Sequence, residues 1–240
     1  MNEQGQNGMR QIRGVVLDKD GTLFDFQATW GAWSRGMIEA EAGGDEALAA
    51  RLAEALGYDL DSGRFRPDSV VIASTVETVA EAMLAVLPPT DRAALIDRMN
   101  ARAAGAPQVA VPGLRPALER LAGQGVALGI ATNDTEAPAR VHLREAGVDD
   151  LFPFVAGYDS GWGGKPEAGQ LLAFAEAQGL DPADCAMVGD SLHDLHAARV
   201  AGMRAVAVLT GVADRAELAP AADVVLESLA DLPDWVAAQG

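Results

Sequence analysis

The chain is short of cysteine, of positive charge and of long apolar runs, and each shortage removes a class of function. One cysteine in 240 residues, Cys185, excludes an internal disulfide and any thiolate metal cluster. It stands in the apolar run Cys185-Ala186-Met187-Val188, where a thiol packs as a small buried hydrophobe. Eighteen lysines and arginines against 35 aspartates and glutamates leave a formal net charge of −17. That balance argues against nucleic acid and anionic membrane as partners. A small anionic substrate stays open, because a metal and one lysine reverse the field locally. No apolar run approaches the roughly 20 residues that a membrane helix needs. Residues 1–10 are polar and carry no apolar signal core, so a flexible tail on a cytoplasmic protein is expected. His193 and His196 lie three apart beside acidic residues with no third histidine near them, which suits a helix surface better than a zinc site.

What is present starts with Val15-Val16-Leu17-Asp18-Lys19-Asp20-Gly21-Thr22-Leu23. An apolar run ends abruptly in two aspartates and a glycine. Alternation along an extended chain puts Asp18 and Asp20 on one side. Two carboxylates that close repel unless a cation lies between them, and a hard cation with oxygen ligands, Mg²⁺, is the economical choice. A strand followed by an ordinary Asp/Gly turn is the competing reading of this stretch.

From about Thr29 to Ala104 the sequence is rich in alanine and leucine, has helical periodicity and shows no clear strand. Trp30, Trp33, Met37 and Ile38 share one face. Leu48, Leu52 and Leu56 repeat at spacing four, with Gly57 as C-cap. Further helices are expected over Ser74–Leu87 and from Thr90, and Gly105-Ala106-Pro107 closes the block. The four tryptophans are expected to pack this block and its edges rather than bind a ligand. After Pro112-Gly113, apolar strands alternate with helices: strands near 126–131, 152–156, 186–188, 205–209 and 222–226. Such alternation predicts a doubly wound parallel sheet, a Rossmann-like core, with an inserted α-helical subdomain. The expected division is residues 11–26 and 106–240 for the core and 27–105 for the insert.

Ligands of such sheets bind beyond the carboxyl ends of the strands. Four strand ends carry polar residues there: Asp18/Asp20, Thr132/Asn133, Lys165 after a glycine-rich turn, and Asp190, with Asp194 one helical turn on. The set suits phosphate: carboxylates for a metal, a hydroxyl and an amide for oxygens, a lysine for negative charge. Thr132 and Asn133 also fit a helix cap, and Asp194 a solvated helix position. Lys165 lacks the spacing of a nucleotide P-loop. Arg64 and Arg66 are candidates for a second anionic group of a substrate, or else a solvated pair.

Asp18-Lys19-Asp20-Gly21-Thr22-Leu23, Thr132-Asn133, Lys165-Pro166 and Gly189-Asp190-Ser191-Leu192-His193-Asp194 resemble the four ordered motifs of the haloacid dehalogenase superfamily. The helical insert resembles the cap of phosphoglycolate phosphatases and their relatives. The resemblance implies a Mg²⁺-dependent phosphatase for a small phosphorylated metabolite, phosphoglycolate being one. Asp18 would be the nucleophile that forms an aspartyl-phosphate, and Asp20 the proton shuttle. Thr132 and Lys165 would assist, and the amides around Gly21, with Asn133, would meet phosphoryl oxygens. Asp18, Asp190 and the backbone carbonyl of Asp20 would hold Mg²⁺. Asp194 would fix Lys165 or reach the metal through water. Asp20 favours phosphoryl chemistry over dehalogenation, since the namesake dehalogenases lack it. A phosphomutase and a non-catalytic binding protein on the same fold are the alternatives. Lys19 departs from the aromatic residue often found at its position. Its side chain is expected to point away from both aspartates and to have no catalytic task.

Overall fold

The computed structural model describes residues 10–240 apart from positions 67, 73, 104, 106 and 107. The expected tail, except Arg10, and the expected Ala106-Pro107 close therefore lie outside the described residues. The sheet is built around β1 (Gly14–Leu17), all four residues of which are buried. Val15 and Leu17 join one apolar cluster and Val16 joins another, so successive residues feed opposite faces. The same two-sided burial explains the continuous apolar runs of β4 (Ala127–Ala131), β5 (Phe154–Ala156), β6 (Cys185–Gly189) and β7 (Arg204–Val208). With β8 (Val224–Leu226) these form one six-stranded sheet in the order β5-β4-β1-β6-β7-β8. Every pairing in it is parallel. Chain order runs outward from β1 to one edge and then resumes on its other side. The carboxyl end of β1 is therefore the switch point where such sheets open a crevice.

Between β1 and β4 the chain leaves the sheet through α1 (Phe26–Ala42), α2 (Glu46–Leu56), α3 (Val76–Leu84) and α4 (Arg92–Ala103). Their apolar faces make a cluster of their own, running from Phe26 to Ala103 and centred on Met37, Leu52, Met83 and Met99. Asp45 caps α2 through its carboxylate, and Gly57 ends it, as the spacing predicts. The insert also contains strands, contrary to expectation: β2 (Tyr58–Asp59) pairs antiparallel with β3 (Arg64–Phe65). Two-residue strands carry no readable period, and what orders them is the packing of Tyr58 and Phe65 into the helical cluster. The two chain crossings into the insert run side by side. Asp25 N–H donates to Val109 O and Val111 N–H to Leu23 O.

The core helices are α5 (Leu114–Gly123), α6 (Glu136–Glu145), α7 (Gly169–Gln178) and α8 (Leu192–Ala201), followed by the short α9 (Arg215–Leu218) and α10 (Leu232–Ala237). Cys185 is buried, as its surroundings predict, and burial pushes its thiol up to about 12. No described helix is long and apolar enough to cross a membrane.

Candidate active site

A cleft lies between the carboxyl end of the sheet and the helical insert. It brings together Asp18, Asp20, Thr132, Asn133, Lys165, Asp190 and Asp194, which are spread over 177 positions of sequence. Six of the seven are buried, and Asp20 is half-buried.

Lys165 Nζ is 2.5 Å from Asp18 Oδ1 and 2.6 Å from Asp194 Oδ1. Burial works against its charge, but Asp18 and Asp194 outweigh that and raise its pKa, so it stays an ammonium. The loop that carries it is fixed by Asn133, whose amide accepts from Lys165 N–H and donates to Lys165 O, at 2.8 and 2.9 Å. Thr132 Oγ1 accepts from Asp134 N–H at 3.1 Å, inside the turn that leads to α6. Asp194 caps α8: its Oδ2 accepts from both the N–H and the hydroxyl of Ser191. With one oxygen on Lys165 and the other on Ser191, Asp194 is arranged to hold the lysine.

Burial pushes Asp18 up to about 7, opposed by Lys165 and reinforced by Asp194 and Asp20. Burial, then Asp18 and Asp194, hold Asp190 well above the carboxylate range. Asp18, Asp190 and Asp194 each place a carboxylate oxygen within 4.8 Å of the others. Hard oxygen donors at close quarters, disfavoured as bare anions, fit Mg²⁺. Asp190 is seated by two glycines. A Cβ on Gly211 would lie 1.7 Å from its Oδ2, and one on Gly21, at φ +80°, 2.3 Å. Thr210 Oγ1 donates to Gly21 O at 2.5 Å and closes this wall.

Two expectations are corrected. Lys19 does not point away from the aspartates: its Nζ is 2.6 Å from Asp20 Oδ2. The chain leaves the extended conformation after Leu17, and Leu23 N–H and Phe24 N–H both donate to Lys19 O. Strand alternation ends there, and the side chain turns inward to full burial. Arg66 is not brought to the cleft. It pairs with Glu54 at 2.7 Å and Asp68 at 3.5 Å on the outside of the insert.

Other residues that position the site escaped sequence reasoning. Asp134 Oδ2 is 3.5 Å from Lys19 Nζ, and burial, opposed by Lys19, pushes Asp134 up to about 6. His142 Nδ1 is 3.2 Å from Lys19 Nζ, and its Nε2 is 3.0 Å from Ala103 O. An ammonium must donate to Nδ1, so Nε2 carries the hydrogen and donates to Ala103. Burial and then Lys19 hold this imidazole down to about 4, which keeps it neutral. Buried Gln170 donates from Nε2 to Thr132 O and Gly163 O, both at 3.0 Å, and so ties the second motif to the third. Only Asp134, directly after Thr132-Asn133, carried a sequence signal of its place.

A family model described as haloacid dehalogenase-like hydrolase matches residues 12–202. A phosphoglycolate phosphatase of Chromobacterium violaceum is 38% identical over 123 residues, 51% of this chain and 54% of that protein. The chain thus spans about half the length of that relative. A phosphoglycolate phosphatase of Xylella fastidiosa strain 9a5c is 30% identical over 211 residues, 88% of this chain and 85% of that one. The crystal structure of CbbY from Rhodobacter sphaeroides in complex with phosphate shares the fold, with a TM-score of 0.71 at 20% identity over 92% of this chain and 96% of that one.

Proposed function

The chain belongs to the haloacid dehalogenase-like hydrolases, and from that premise we propose that it is a Mg²⁺-dependent phosphomonoesterase for a small phosphorylated metabolite. The observation that carries this reading is the shared lysine: Lys165 grips Asp18 and Asp194 while Asp20 faces the same cleft. Asp18 Oδ1 is taken by Lys165, so Oδ2 is the oxygen that attacks phosphorus. The P–O bond to the alcohol breaks as Asp20 delivers a proton to the leaving oxygen. Asp20 Oδ1 is buried with no hydrogen-bond partner among the described residues, while Lys19 holds Oδ2. Asp20 then takes a proton from water as the water attacks the aspartyl-phosphate. The P–O bond to Asp18 breaks, and both aspartates end as they began.

Thr132 and the amides around Gly21 would meet phosphoryl oxygens. Asn133 acts through the backbone of Lys165. The residues that would hold Mg²⁺ are Asp18, Asp190 and the backbone carbonyl of Asp20, and the ion supplies charge neutralisation on the transferring group. Residues 27–105 act as a cap that excludes water from the core formed by 11–26 and 106–240. The curated relatives carry phosphoglycolate in their names, which makes it one small phosphorylated metabolite to be tried as substrate. The test is phosphate release from an aryl phosphate with and without Mg²⁺, in the wild type and in Asp18→Asn. Turnover that needs Mg²⁺ and falls by about 10⁴-fold or more in Asp18→Asn is expected. Unchanged turnover in that variant removes Asp18 as nucleophile.

A further inference from the structure

The cleft has two unlike walls. The core wall carries five carboxylates, Asp18, Asp20, Asp134, Asp190 and Asp194, and one lysine that lines the cleft, Lys165; the ammonium of Lys19 is wholly buried behind Asp20 and Asp134. Lys165 is already bound to two of the five. The insert presents the opposite chemistry. Phe26, Trp30, Val71, Ile72, Val76 and Met99 line its side, with Ser74 and Asn100 as neutral polar neighbours. No lysine, arginine or histidine of the insert lines the cleft among the described residues. The arginines at 35, 66, 92 and 98 pair with Glu39, Glu54, Glu81 and Glu41, and Arg51, Arg64 and Arg102 are exposed and do not line the cleft. The positions outside the description hold no lysine, arginine or histidine either.

We propose, on the basis of the phosphomonoesterase reading, that the preferred substrate carries an uncharged, largely apolar organic group on its phosphate, and that a second anionic group is selected against. Mg²⁺, Lys165 and the amides around Gly21 are the groups that would receive the phosphate. A carboxylate two atoms away from the ester oxygen would leave water for an apolar wall and an acidic floor, with no cation to receive it. An aryl or branched alkyl group would instead exchange water for Trp30 and its aliphatic neighbours, at about 25 cal/mol for each Å² buried. On this reading phosphoglycolate is a poor substrate, despite the names of the relatives.

The experiment compares kcat/KM of the Mg²⁺-loaded wild type for ethyl phosphate, phosphoglycolate and benzyl phosphate. All three release a primary alcohol. Ethyl phosphate differs from phosphoglycolate by a methyl in place of a carboxylate, and from benzyl phosphate by the ring. We expect benzyl phosphate to exceed phosphoglycolate by about tenfold or more, with ethyl phosphate between them. A smaller margin, or phosphoglycolate in the lead, overturns the proposal and leaves the hydrolase reading standing. Turnover of none of the three, nor of an aryl phosphate, overturns the hydrolase reading itself. In Trp30→Ala the benzyl-to-ethyl ratio is expected to fall by about fivefold or more. A ratio of two rate constants is independent of the folded fraction, so a smaller change overturns the assignment to this wall.

Discussion

Lys19 Nζ lies 2.6 Å from Asp20 Oδ2, and the lysine is wholly buried between the two aspartates of the first motif. Its ammonium also faces Asp134 and His142, and stands 5.6 Å from the ring centre of Trp30. Burial alone would discharge it, but Asp20 and Asp134 reverse the balance and raise its pKa. One charge therefore holds Asp20, the second motif and the first helix of the insert at a single point. Removing it leaves the half-buried carboxylates of Asp20 and Asp134 without their cation. Lys19→Met is expected to lower the unfolding free energy by about 3 kcal/mol or more. Urea denaturation measures this, and a loss under about 1 kcal/mol contradicts the buried-pair account.

The metal site is expected to oppose folding until it is filled. Asp190→Asn removes one of the charges that repel Asp18 and Asp194 in a buried place. In EDTA this variant should be more stable than the wild type by about 1 kcal/mol. It should also lose the rise in melting temperature that Mg²⁺ gives the wild type. Thermal melts of both proteins with and without Mg²⁺ decide it, and a less stable metal-free variant counts against the prediction.

The pH dependence follows from Asp18. Its pKa is about 7 in the folded protein against an ordinary 3.8. The folded state keeps a proton that the unfolded chain has shed, and the stability this lends is lost as pH rises through about 7. His142, held down to about 4, acts in the opposite sense below its ordinary 6.5, so the window above 6.5 is left to the raised carboxylates, Asp18 and Asp190, which act in the same sense. From pH 6.5 to 8 the metal-free protein should lose on the order of 1 kcal/mol. Saturating Mg²⁺ should abolish the fall, because the cation takes the place of the proton. A metal-free melting temperature that is flat across this range speaks against a raised Asp18.

Gly211 tests how closely Asp190 is seated. Alanine there would put Cβ 1.7 Å from Asp190 Oδ2, so the carboxylate must move. A displacement of that size is expected to lower kcat/KM by about 10²-fold and to weaken Mg²⁺ binding. Gly123→Ala, where nothing lies within 4 Å, is the matching control. Equal activity of the two variants would show that Asp190 is not held by this contact.

Most of the fold is legible along the chain, because a strand buried on both faces leaves an unbroken apolar run. The ends of β1, β4 and β6 announce themselves as polar residues after such runs. The short elements are not legible. β2, β3, α9 and α10 are too brief for a period to emerge, and their neighbours order them. The site divides in the same way. Asp18, Asp20 and Asp190 stand just past strand ends and Lys165 in the loop that follows β5, where one-dimensional order already implies convergence. Gln170 stands in the first turn of α7 and His142 in the last turn of α6, and a lone polar residue there looks like any solvated one until the packing shows it buried.

The order of residues is thus enough for the parallel sheet, the helical insert, the acidic cluster and the lysine that faces it, since each rests on local periodicity and chain direction. Lys19 and Arg66 depended on three dimensions. Chain direction after Leu17 is set by the turn in which Lys19 O accepts two N–H groups, and that turn carries the ammonium inward to Asp20. Arg66 faces Glu54 across the outside of the insert, and no local pattern says which charge a folded surface will place opposite it. The same long-range packing makes the insert's wall of the cleft apolar.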